Sequence, residues 1–106
     1  MDKEAVLKIA RRFQQALLAR GVKASKIILY GSYAKGEHHE GSDIDLVVIS
    51  NDFADKDYWH RIDVLSDAIY ELWEPIEAVA MTPEEWERGD SMIVQLAKDG
   101  ELLYSA

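Results

Sequence analysis

The sequence predicts a small α/β (α+β) domain, a mixed β-sheet backed by helices, over residues 1–106. Two stretches, near 3–20 and 57–73, carry apolar residues at intervals of three and four, the period of a helix with one buried face. Between and after them lie short apolar runs, KIILY, DIDLVVIS and IEAVAM, that read as strands. The first two runs are joined only by residues 31–42, which leaves no room for a full crossover helix and favours an antiparallel pair.

In chain order, residues 3–20 form a helix whose core side is Val6, Ile9, Ala10, Phe13 and Leu17, with Gly21 as a natural stop. Residues 26–30 form a strand ending at Gly31. Residues 31–42 are glycine-rich loop, with one helical turn at Ser32–Lys35. Residues 43–50 form the second strand. Asp52, Asp55 and Asp57 offer N-caps for a helix carrying Tyr58, Ile62, Leu65, Ile69 and Leu72 on its apolar stripe as far as Trp73. Pro75 opens a third strand, where proline is best tolerated. Thr82-Pro83-Glu84-Glu85 is a capping box with proline in the first turn. A last helix spans about 90–98, and residues 102–104 add an edge strand.

Composition narrows the function. The chain has 106 residues and a formal net charge of −8. Its cations are scattered, with a small group at Lys8, Arg11, Arg12, Arg20, Lys23 and Lys26, so it lacks the basic face that long nucleic acid requires. There is no cysteine, which excludes disulfides, thiolate metal sites and a cysteine nucleophile. No run approaches the ~18 apolar residues of a membrane span, and MDKEAVLKIARRF has no signal-peptide layout. These features fit a cytoplasmic protein.

The chemistry concentrates in GSYAKGEHHEGSDID, residues 31–45. Side chains alternate along a strand, so Asp43 and Asp45 point the same way, ~6.6 Å apart, while Ile44, Leu46 and Val48 face the core. Two like charges so close call for a cation between them, and hard carboxylate oxygens suit Mg²⁺. Gly31 lets the backbone approach a ligand closely, and a helical turn starting at Ser32 aims free N–H groups at phosphate oxygens. Lys35 supplies a point charge, for phosphate or simply for the surface. Metal beside phosphate is the arrangement of phosphoryl and nucleotidyl transfer.

The pattern G-S-x10-D-x-D, ending S-D-I-D-L-V-V, resembles the signature of the DNA polymerase β-type nucleotidyltransferase superfamily, and the short length resembles its minimal nucleotidyltransferase (MNT) branch. The resemblance implies that Gly31 and Ser32 hold a nucleoside triphosphate, ATP above others. It implies that Asp43, Asp45 and a third carboxylate on a later strand hold two Mg²⁺ ions, the third also helping to activate the attacking hydroxyl. Glu77 is the acidic residue that the third strand offers. It departs from the family's usual aspartate and is one methylene longer. The resemblance further implies a HEPN-domain partner encoded nearby, a toxin whose tyrosine is adenylylated by the MNT acting as antitoxin. An alternative is a module that neutralises a partner by covering it, through exposed aromatics at 57–73 or the acidic C-terminal half. A small hydroxylated acceptor is a further alternative. The sequence leaves the oligomeric state open.

Other residues have plainer readings. Ser42 caps the turn before the strand. His38 and His39 are adjacent loop residues exposed to solvent. His60 is a partly buried helix residue. Trp59, Tyr70, Trp73 and Trp86 fit helix faces and core edges. Glu84, Glu85, Glu87 and Asp90 form a solvated helix start.

Overall fold

A computed structural model describes residues 1–106. The elements run α1 (Lys3–Leu18), β1 (Lys26–Tyr30), α2 (Gly31–Lys35), β2 (Ile44–Ile49), α3 (Tyr58–Leu72), β3 (Ile76–Met81), α4 (Pro83–Arg88), α5 (Met92–Ala97) and β4 (Glu101–Ser105), with a 3-10 turn at Asn51–Phe53 before α3. The strands form one sheet in the order β3-β2-β1-β4. β1 pairs antiparallel with β2 and β4, and β2 pairs parallel with β3, so the sheet is mixed. The parallel step is made through α3, which returns the chain to the same end of the sheet.

Pleating sorts the strand residues onto two faces. Ile27, Leu29, Ile44, Leu46, Val48 and Ile76 pack with Phe13 and Leu17 of α1 and Leu65, Ala68 and Leu72 of α3 in the larger core. Phe13 is fully buried there, and truncating such a ring to alanine costs about 3–5 kcal/mol. On the opposite face Ile28, Val47, Ile49 and Met81 pack under Val94 and Ala97 of α5 in a smaller cluster that also takes in Tyr30. The short α4 and α5 leave the other end of this face uncovered by helix.

The caps follow the sequence. The Asp57 carboxylate accepts from the His60 N–H at the start of α3, and Thr82 and Glu85 close the capping box of α4. Asp52 instead accepts from the Lys23 N–H, tying the β2–α3 connection to the α1–β1 turn. Ser50, fully buried, is satisfied by donating to the Lys23 carbonyl and accepting from the Asp52 N–H.

Several expectations change. The helix predicted over 3–20 ends at Leu18, and the one over 90–98 shortens to Met92–Ala97. The second strand begins at Ile44, so Asp43 lies just before it. His60 is exposed rather than partly buried, with Nδ1 3.0 Å from the Asp57 carboxylate. Trp59, Tyr70 and Trp73 do not edge the core but stand in solvent. The helical period is the same for an inward and an outward stripe, and α3 carries both.

Candidate active site

The sheet register brings three polar side chains into one row. Tyr30 on β1 is opposite Asp45 on β2, and Asp45 is opposite Glu77 on β3. Residues in register share a face, and here it is the uncovered end of the smaller-cluster face. The sequence put Glu77 in a separate segment. The β2–β3 register places it beside Asp45. Its neighbours Ile76, Ala78 and Ala80 turn to the larger core, as the alternation requires.

Gly31 closes the site from above. The chain leaves β1 at Tyr30 and turns at once into α2, with Gly31 at φ 74°. A Cβ at Gly31 would overlap a carboxylate oxygen of Asp45 and lie 3.1 Å from its Cγ. Glycine is therefore required twice, by the left-handed backbone and by the close approach. The first turn of α2 has no side-chain cap, which leaves its N–H groups free for an external acceptor. Ser32 is half-buried in this turn. Lys35 is exposed at the other end of α2 and is not brought to the carboxylates.

The electrostatics record the crowding. Burial, then the charge of Glu77, then that of Asp43, push the Asp45 carboxyl above its ordinary value, and a hydrogen bond with Glu77 adds to the shift. Asp45 and Glu77 thus crowd one another, with Asp43 within electrostatic reach. Burial and the same two carboxylates, Asp45 and Glu77, also raise the Tyr30 phenol. Tyr30 was missed as a site neighbour, although strand alternation outward from Ile28 signals its direction.

The donor set is all carboxylate oxygen, the chemistry that suits Mg²⁺. No three His, Cys, Asp or Glu side chains stand already gathered at ligating distance. The fit is therefore one of donor type and adjacency: a close pair, Asp45 and Glu77, with Asp43 exposed at the mouth of β2. The loop before Asp43 is ordered locally. Ser42 Oγ accepts from the His39 N–H, and the His38 ring stacks on Tyr33 at 4.3 Å. Both histidines are exposed and are not drawn to the carboxylates.

The glycine turn pressed on one carboxylate, with a second carboxylate in register on the next strand, is the geometry with which known proteins can be compared. Residues 8–97 match the family described as nucleotidyltransferase domain, and the chain belongs to that family. It is 31% identical over 101 residues, 92% of this chain and 96% of the other, to a Methanocaldococcus jannaschii protein provisionally named a protein adenylyltransferase. Its fold is similar to that of a Sulfolobus solfataricus protein provisionally named a nucleotidyltransferase (TM-score 0.71, 19% identity, 95% of this chain and 81% of that one). It is also similar to a chain in the structure of the tri-AMPylated Shewanella oneidensis HEPN toxin in complex with MNT antitoxin (TM-score 0.59, 19% identity, 99% of this chain and 74% of that one). At these identities the structural likeness establishes the fold. The chain is a nucleotidyltransferase, and no helix is long and apolar enough to cross a membrane.

Proposed function

We propose that this nucleotidyltransferase moves AMP from ATP to a hydroxyl of a protein partner, a tyrosine of a HEPN-domain toxin, and so acts as an antitoxin. The observation that carries the reading is the contact between turn and carboxylate. Gly31 lacks the atom that would strike Asp45, so a triphosphate on the α2 turn would lie directly against the Asp45–Glu77 pair. The relative named as a protein adenylyltransferase supports a protein acceptor, and the MNT–HEPN complex among the fold neighbours supports the toxin.

In this reading the uncapped N–H groups of α2 and the Ser32 hydroxyl hold the triphosphate. Lys35 assists only if its flexible stem swings toward the phosphates. The acceptor oxygen attacks the α-phosphorus and a P–O bond forms. The bond from that phosphorus to the bridging oxygen breaks, and pyrophosphate leaves with its electron pair. Glu77, in register beside Asp45, is the carboxylate placed to receive the acceptor's proton. Asp43, Asp45 and Glu77 would hold divalent metal, two Mg²⁺ ions in the full arrangement, which supplies charge neutralisation on the phosphates.

The test is intact-mass spectrometry of the protein encoded beside this chain's gene, after incubation with the chain and Mg-ATP. The expected outcome is a gain of one or more AMP units, lost with Asp43→Asn. An unchanged mass with the wild-type chain overturns the reading.

A further inference from the structure

Three aromatic side chains on and just past α3 stand outside the core. Trp59, Ile62, Ser66 and Tyr70 follow at intervals of three or four on one face of α3, Ile62 and Ser66 half-buried between the two exposed rings, and Trp73 follows as the helix's C-terminal cap. That face is turned from the core side of the helix, Leu65, Ala68 and Leu72. Trp59 is 70%, Tyr70 80% and Trp73 92% exposed. A single exposed aromatic is ordinary, but two on one helix face and a third at its C-terminal cap are the composition of an interface centre.

Trp73 adds an independent sign. It occupies the C-terminal cap of α3 at φ 56°, the only positive φ outside glycine. Glycine is the usual residue there, and a bulky side chain is strained. The chain thus holds a strained, almost wholly exposed indole where a glycine would serve folding better. Strain of this kind persists at sites that bind.

The charges beside the stripe state what it would meet. Asp63, Asp67 and Glu71 recur every four residues and form an acidic row next to the aromatics. Arg61, the one arginine of α3, is turned inward to Glu85. Glu71 is matched by Arg20, but Asp63 and Asp67 have no ion-pair partner. Aromatic faces beside carboxylates favour guanidinium and ammonium groups, through cation–π contact and ion pairing together. A second copy of this chain would oppose acid with acid, in a molecule of net charge −8.

We propose that this face of α3 is the docking surface for a protein partner that presents apolar residues interspersed with arginine or lysine. Trp73 and Glu77 are four residues apart, so their Cα atoms lie within about 14 Å. Trp73 thus ends the stripe near the start of β3, the strand that carries Glu77, while α3 and the Glu77 side chain lie on opposite faces of the sheet. That the same partner supplies the acceptor hydroxyl rests on the proposed transfer; the docking itself does not.

The test is photo-crosslinking in the native host, with Trp59 or Tyr70 replaced by p-benzoylphenylalanine and the adduct peptide sequenced by mass spectrometry. The expected result is one partner, joined through a peptide bearing Lys or Arg. Combining Asp63→Lys with Asp67→Lys lowers the adduct yield by about tenfold or more. Asp43→Asn leaves the yield unchanged, so failed docking and failed transfer are told apart. No adduct, an adduct between two copies, adducts spread over unrelated proteins, a peptide without basic residues, or a yield indifferent to the charge reversal each overturn the proposal.

Discussion

Gly31 and Trp73 hold the same left-handed backbone for opposite reasons. At Gly31 (φ 74°) the missing side chain makes room for the Asp45 carboxylate. At Trp73 (φ 56°) a large side chain is kept although the backbone disfavours it. Left-handed conformation costs an L-residue roughly 1–2 kcal/mol, part of which glycine's greater unfolded-state entropy offsets. Trp73→Gly is therefore expected to stabilise the chain by roughly 1 kcal/mol, a rise of about 5 °C in Tm for a domain of this size. Differential scanning calorimetry reads this directly. An unchanged or lower Tm would mean that the indole contributes to folding, despite its exposure.

At the scale of elements, α4 is fixed at its start. Thr82 Oγ1 accepts from the Glu85 N–H at 3.2 Å, and Glu85 Oε1 accepts from the Thr82 N–H at 2.8 Å. The same Glu85 oxygen is 2.8 Å from Arg61 of α3, so one carboxylate ties two helices to the end of β3. Glu85 was read in the sequence as part of a solvated helix start, and its bond to Arg61 revises that. Burial pushes the Glu85 carboxyl up, but the Thr82 N–H and the Arg61 guanidinium outweigh it and hold the carboxyl below its ordinary value of 4.5. A lowered folded value means that the stabilisation is complete above the unfolded value. It is lost as pH falls through the folded one, because the unfolded state then binds more protons. Glu85→Gln is thus expected to cost about 1 kcal/mol at neutral pH. The difference from the wild type should shrink steadily below pH 4.5 in urea titrations. A gap that does not change with pH would assign the effect to packing.

Across the whole molecule, the site works against the fold that carries it. Asp43, Asp45 and Glu77 add like charges at one end of a sheet, in a chain of net charge −8. Without divalent metal this repulsion is uncompensated, and Asp45 is also partly desolvated. Asp45→Asn is expected to raise Tm in chelator, and added Mg²⁺ to narrow the gap by stabilising only the wild type. A Tm lowered by the substitution would show that Asp45 is held by structural partners rather than opposed by like charges. The same acidity disfavours long nucleic acid and favours a basic partner on α3.

The sequence by itself determined the order of elements, the antiparallel first pair, the capping box and the placing of Gly31 at the end of β1, beside Asp45. All of these depend on neighbours within a few residues or on one loop of fixed length, so local periodicity and turn chemistry carry them. Tertiary structure decided the rest. Only the β2–β3 register sets Glu77 beside Asp45, because strand partners are chosen by burial of a face and not by any local signal. Only the packing of α3 on α1 and β3 shows which of its two apolar stripes is buried and which is left to solvent. A helical period gives a face, and what lies against that face is a property of the whole chain.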